Sequence, residues 1–239
     1  MHFNVPLNIL AVAAPAISSV IPSHGTVEVF KRDAVLDARD LELAETHGVN
    51  LTQMFKHSVF KRNDGDHITI WVDRGYVEED EDSEAGFKHA KRQSTRLVGG
   101  SRYHGSDQYD TCYSHDRKDA TVSISPFTGG IVSIRDWAAG RKGYFPFGGT
   151  HPVGWRSLLV AGSNSGANAL YRARVQEGSI SVHTGIGTED VRDDAAWTNE
   201  RRKLFNGRYR AASYGWETCK LDGTGIRMNF EIRGTDIVV

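Results

Sequence analysis

The side chains able to do chemistry in this 239-residue chain are few and scattered. Past residue 100 stand four histidines, His104, His115, His151 and His183. None has the His-x-x-x-His or Glu-x-x-His spacing that puts two ligands on one helix face, so no metal is expected. Gly185-Ile186-Gly187 lacks the third glycine of a nucleotide fingerprint and suits a turn and helix cap instead. No Gly-x-Ser-x-Gly nucleophile elbow occurs. A small ribonuclease needs a base, an acid and a phosphate-holding cation, types supplied by His183, Glu189 and Arg192. Glu189 reads more simply as a helix-start acid and His183 as a residue on a strand's wet face. The expectation is therefore not an enzyme, with no cofactor.

Binding chemistry is better represented. The stretch "NERRKLFNGRYR", residues 199–210, gathers Arg201, Arg202, Lys203, Arg208 and Arg210 around Phe205 and Tyr209. Such a cluster steers a protein toward anionic lipid, wall polysaccharide or nucleic acid, although cations opposing a helix C-terminus explain much of it without a partner. Both cysteines, Cys112 and Cys219, lie past residue 92, and two thiols in an exported chain most simply form one bridge. Closing a loop of about 100 residues stabilises by roughly 4 to 5 kcal/mol in the chain-entropy picture.

Three Lys-Arg doublets, Lys31-Arg32, Lys61-Arg62 and Lys91-Arg92, recur every 30 residues and then stop. Adjacent cations in a solvated strip are what a kexin-type protease reads. The first 25 residues carry no Lys, Arg, Asp or Glu, and residues 5–20 are apolar or small, as in a signal-peptide core. The sequon at Asn50, "NLT", would be a glycosylation acceptor in a secreted chain. Residues 1–92 hold 10 basic and 15 acidic side chains, whereas 93–239 hold 19 and 15, so an acidic leader joins a mildly basic body. The run "EEDEDSE", 78–84, repels itself. These features predict a signal peptide over 1–20, an acidic, largely disordered pro-segment over 21–92, and a mature body over 93–239 that starts at Gln93. "ITIWV", 68–72, is the one leader stretch with a strand's composition, and a strand there would let the leader pack on the body.

Several elements must position the body's residues. "TGGIVSIRDWAAG", 128–140, places Ile131, Ile134 and Ala138 on one helical face before Gly140. A second helix is expected from Thr188, with Glu189 and Asp190 opposing its dipole, Val191, Ala195, Thr198 and Phe205 inward, and Arg201 to Lys203 in its last turn before Asn206-Gly207. Period-two alternation puts Tyr171, Ala173 and Val175 on one strand face, and Ile226, Met228, Phe230 and Ile232 on another. Residues 179–186 and 208–217 are further strand candidates. The class is α+β: a small antiparallel sheet, wet on one face and covered on the other by two helices.

With those elements in place, "CYSHDRKDATVSISPFTGGIVSIRDWAAG", "WRSLLVAGSN", "IGTEDVRD" and "FNGRYRAASYGWETC" together resemble the fungal secreted effectors called putative necrosis-inducing factors, homologues of an extracellular protein two effector. Cys112 stands at that family's opening cysteine, Ser125-Pro126 at its dipeptide, Gly187 to Val191 at its second helix start, and Cys219 at its closing cysteine. An inner cysteine pair usual in that family is absent, its places held by Ile131 and by Asn164 or a neighbour. The resemblance covers about residues 110–220. It implies a secreted, extracellular effector that binds a host or competitor protein, wall or membrane component after maturation, with no nucleic acid as partner. The alternatives are a membrane-active killer-toxin-like protein and a small secreted ribonuclease.

Overall fold

The computed structural model describes residues 27–61, 67–78, 109–148, 154–163, 168–176, 184–220 and 225–235, and the statements below concern these. The predicted signal peptide, Arg62, Lys91, Arg92, Asn164 and His183 lie outside them.

Eight strands form one sheet. In spatial order they are β1 (Val27–Val29), β2 (Met54–Lys61), β3 (His67–Asp73), β7 (Arg156–Ser163), β8 (Ala169–Val175), β13 (Ile226–Gly234), β12 (Ser213–Cys219) and β5 (Cys112–Asp119). Every neighbouring pair is antiparallel. Helices α2 (Thr128–Ala139) and α3 (Thr188–Glu200) pack together on one face, sharing a core with Ile68, Ile70, Val72, Tyr171, Ala173, Met228, Phe230 and Ile232. A short helix, α1 (Ala38–Thr46), covers part of the other face, where Ala44 meets Met54, Trp71, Val160 and Leu170. Beside the helices lies a three-stranded sheet of β4 (Val77–Glu78), β6 (Gly143–Phe147) and β9 (Thr184–Gly187) in that order.

The α+β class and the one-sided alternation hold. Tyr171, Ala173, Met228, Phe230 and Ile232 are buried, while Arg172, Arg174, Arg227 and Glu231 lie on the wetter face. Along that wetter face, Arg172 and Arg174 stack on Trp155, and Arg227 stacks on Trp216. The sheet is larger than expected and carries three helices rather than two.

The leader accounts for the difference. Within the segment predicted to be a largely disordered pro-segment, residues 27–61 and 67–78 supply β1, α1, β2, β3 and β4. β3 pairs with β7 over Ile68 to Val72, so the leader extends the body's own sheet. Its apolar run is buried on both faces, which is why it reads as continuous hydrophobicity rather than alternation. Side chains add to the join. Trp137 Nε1 in α2 donates to His57 Nδ1 at 3.3 Å, Arg156 Nε donates to Asp73 Oδ2 at 2.7 Å, and Asn168 Nδ2 donates to the Thr46 carbonyl at 3.2 Å. The acidic run that suggested disorder begins at Glu78, where the described part of the leader ends.

The predicted bridge is present. Cys112 and Cys219 face each other across β5 and β12 and close a disulfide spanning 107 residues.

Candidate functional site

Helix α3 has two functional ends. At its start Gly187 is the cap, and the Asp190 carboxylate, three residues on, accepts from Gly187 N (2.9 Å), Thr111 N (2.9 Å), Thr111 Oγ1 (2.9 Å) and Cys112 N (3.2 Å). The acid that opposes the helix dipole thereby also anchors the strand carrying the disulfide. Gly187 is required by close approach, because a Cβ there would lie 2.0 Å from the Tyr109 carbonyl oxygen. Replacing Asp190 by Ala orphans two buried backbone donors, Thr111 N and Cys112 N, while Gly187 N keeps Thr111 Oγ1, and is expected to cost about 2 kcal/mol in urea unfolding, at roughly 1 kcal/mol or more per unmatched group. A loss under about 1 kcal/mol would show that water replaces the carboxylate.

At its other end the helix stops one turn earlier than predicted. Glu200 is its last residue, and Arg201 caps it, donating from Nη1 to the Trp197 carbonyl at 3.0 Å while Arg202 donates to the Asn199 carbonyl at 3.2 Å. The chain then forms a hairpin of β10 (Lys203–Phe205) and β11 (Arg208–Arg210), with Phe205 on it rather than on the helix's inner stripe. Asn206 (φ 48°) and Gly207 (φ 76°) make the turn, both in the left-handed region that an Asn-Gly hairpin turn demands. The dipeptide expected to end a helix closes a hairpin instead.

All five predicted patch cations gather here. Arg201 lies over Trp197 (3.7 Å), Arg202 over Tyr209 (5.3 Å), and Arg208 and Arg210 both lie over Phe127 (3.5 and 4.0 Å). Lys203 pairs with Asp119 at 2.7 Å and Arg201 approaches Glu200 at 3.6 Å. Leu204 and Tyr209 are cross-strand partners on the hairpin's outer face, 59% and 51% exposed. The 121–127 loop is tied to the hairpin by Arg210 donating to the Ser125 carbonyl and Ala211 N donating to the Pro126 carbonyl. It displays Val122 and an Ile124 that is 86% exposed. The result is a cationic surface interleaved with apolar tips.

Between the two ends, α3 turns a polar stripe into the protein. Asp190, Asp194 and Thr198, at i, i+4 and i+8, are buried beside the apolar Val191 and Ala195. Asp194 accepts from Arg117 Nε (2.7 Å) and from Tyr171 Oη (2.8 Å); Thr198 shares a hydrogen bond with Ser213 Oγ. Across β5 and β12, Glu217 stands opposite His115, with His115 Nδ1 3.3 Å from Glu217 Oε2. Burial pushes Asp194 up to about 8, with the Glu217 charge adding to the rise. Asp190 rises to about 7 because burial outweighs its hydrogen bonds. Glu217 lies well above the usual carboxylate range, for burial first and the Asp190 charge second.

Sequence reasoning placed Thr198 inward, as it is, but missed the buried acids. Asp194 and Glu217 are charged residues within otherwise ordinary elements, and fully buried carboxylates are uncommon enough that a surface position is the natural reading. The signal that was available is the four-residue spacing of Asp190 and Asp194 in register with Val191 and Ala195.

The remaining predicted sites are dispersed. Lys31 and Arg32 are exposed near a turn between β1 and α1, with Arg32 Nη2 donating to the Tyr76 carbonyl and its guanidinium 5.5 Å from the Phe55 ring. Lys61 ends β2. Asn50 is exposed after α1, its side-chain oxygen accepting from Thr52 N and Oγ1. Glu189 and Arg192 pair with each other on the outer side of α3, and with His183 outside the described residues no triad is assembled. No protein-family model and no curated protein matches the chain.

Proposed function

We propose that this is a secreted effector or toxin-like protein that acts by docking on an anionic lipid surface of a host or competitor cell, through the hairpin patch and without chemistry of its own. One observation carries this reading. Arg201, Arg202, Lys203, Arg208 and Arg210 share their surface with two partner carboxylates, Asp119 and Glu200, and stand among exposed Leu204, Tyr209, Val122 and Ile124. Cations with apolar tips between them suit a lipid interface, where headgroup phosphates meet the charges and the tips enter the acyl boundary. Soluble polyanions would use the cations and leave the tips in water. The net charge of the whole chain is only −1, so the attraction is local to this end of the molecule.

Export and cleavage after Arg92 belong to the same proposal. The leader's strands lie inside the sheet, so a cut at 92 yields two chains held together by burial, and the acidic leader remains part of the working protein.

Vesicle co-sedimentation tests the docking. Full-length protein is expected to pellet with vesicles of 30% phosphatidylserine in phosphatidylcholine, to stay in solution with pure phosphatidylcholine, and to be released by about 0.5 M salt as screening shortens the Debye length. The double substitution Arg202→Glu with Arg208→Glu is expected to weaken binding at least 30-fold, at roughly 1 kcal/mol for each cation at the surface. Leu204→Ser should weaken it without altering the salt dependence. Equal binding to both vesicle types removes the proposal, and dye release from the anionic vesicles would identify membrane disruption as the mode of action.

A further inference from the structure

The buried face of α3 holds a set of ligands that the hairpin patch does not use. We infer that His115, Asp194 and Glu217 form a binding site for one divalent transition-metal ion of the zinc type. His115 Nδ1 and one carboxylate oxygen from each acid lie within 4.8 Å of one another, near enough for a single ion to reach all three.

The case rests on Glu217. Its residue is 0% exposed, yet neither carboxylate oxygen has a hydrogen-bond donor. A buried carboxylate in that position is costly unless something positive meets it. Among the described residues its surroundings supply no such donor. The sulfurs of Cys112 and Cys219 are close by but bridged to each other, so they carry no hydrogen to donate. Arg117 Nε is given to Asp194, and its Nη2 lies 3.3 Å from His115 Nδ1. A guanidinium only donates, so Nδ1 presents its lone pair. The same nitrogen lies 3.3 Å from Glu217 Oε2, so an ion bound between them would take that one lone pair in place of Arg117 Nη2. Two electron-rich atoms thus converge on one spot, and a cation between them resolves the contact.

The chemistry of the set selects the ion. One imidazole and two carboxylates match zinc or manganese and fall short of the six to eight oxygens that calcium takes. Arg117 and Tyr171 bind the Asp194 oxygens from outside, leaving each oxygen a second lone pair and fixing the carboxylate's orientation, as outer partners do at metal centres. The His115 side chain is 28% exposed while the two acids are not, so an ion enters along the imidazole and keeps a solvent-side position for water. Three protein ligands leave the fourth place of a tetrahedral ion to water.

Calorimetric titration of untagged, full-length protein with zinc chloride tests the site. One ion per chain is expected, with Glu217→Gln and His115→Ala each weakening it at least tenfold and Asp193→Asn, an exposed acid on the same helix, leaving it unchanged. Cobalt(II) should give a visible spectrum that His115→Ala abolishes, a readout independent of stability. Because loss of the buried charge in Glu217→Gln relieves rather than strains the fold, urea unfolding of that variant separates a lost site from a lost structure. Absence of binding by wild-type protein would mean that a proton, not a metal, sits on Glu217, and overturns the inference. Binding that survives both substitutions places the ion elsewhere and overturns it equally.

Discussion

A polypeptide that begins at Gln93 is expected not to fold. It lacks β1 to β4, and with them Phe55, Ile68, Ile70, Val72 and Tyr76 from the main core and Trp71 from the smaller one. Burying each such side chain stabilises by about 1.5 to 3 kcal/mol. Six of them come to roughly 9 to 18 kcal/mol, as large as the roughly 5 to 15 kcal/mol by which a domain is stable at all. The loss is compounded at β7, whose edge would be bared along Leu159 to Ser163, and at Arg156, whose partner Asp73 would be gone. Circular dichroism and urea titration of the 93–239 fragment should show no cooperative transition, and addition of the 27–92 peptide should restore one. Protein cut after Arg92 should elute as a single species and separate only in denaturant. A cooperative, monomeric 93–239 fragment would restore the leader to a disposable role.

Stability should fall steeply as the pH rises from about 6.5 to about 8.5. In the folded protein Asp190 titrates near 7, Asp194 near 8 and Glu217 well above its usual value, whereas all three titrate near 4 when unfolded. Raised carboxylates favour the folded state below their unfolded values and lose that advantage as the pH climbs through their folded ones. Two histidines oppose the trend at lower pH. His57 is lowered to about 4, chiefly by burial, and His47 is also lowered by burial, so both gain protons on unfolding below about 6.5. Between about pH 4 and 6.5 the two histidines offset two of the three carboxylates, and only a shallow fall remains. Above that the histidines are neutral in both states and the carboxylates act alone. With two to three protons released on unfolding and about 1.4 kcal/mol per unit for each, the drop is on the order of 3 kcal/mol per pH unit at its steepest. Urea midpoints at pH 5, 6.5 and 8 in the presence of a chelator measure it. Glu217→Gln should flatten the upper part of the curve, and equal midpoints at 6.5 and 8 would show that the buried acids find compensation on ionising.

The exposed partner of the same cluster explains where the pH change would enter. His115 and Arg117 stand on β5, so that the acids are buried under a strand whose other edge has no neighbour in the sheet among the described residues. The disulfide at one end of that strand and the Asp190 bonds at its Thr111-Cys112 junction hold it in place. Charging Asp190 costs less, because its four donors favour the charged form and offset part of the burial. Charging Glu217, which has none, is the costly event.

Local pattern carried a good part of this fold. The alternation in "LYRARV" and "GIRMNFEIR" named the buried faces of β8 and β13 correctly, and "TGGIVSIRDWAAG" marked α2 to within a residue, since side-chain periodicity is a property of a few consecutive positions. Cysteine count was enough for the bridge. The same local signals misled wherever a second segment decided the outcome. Asn206-Gly207 suits both a helix end and a hairpin, and only the pairing of Lys203 with Arg210 chose between them. Asp190 and Asp194 look like solvated acids until β5 and β12 are laid beneath them. In the leader, Lys-Arg spacing and an acid run spoke for a removable segment, while "ITIWV" spoke for a strand, and composition alone offered no way to weigh them.

What the amino-acid order determined on its own is the set of elements with a clear period, the covalent staple, and the concentration of cations between 199 and 210. Tertiary structure decided that the leader belongs to the sheet, that the cations surround apolar tips, and that His115, Asp194 and Glu217 meet. The physical reason is separation along the chain: Arg117 and Asp194 are 77 positions apart, and such contacts follow from strand pairing and loop closure, for which no short stretch of sequence carries a signal.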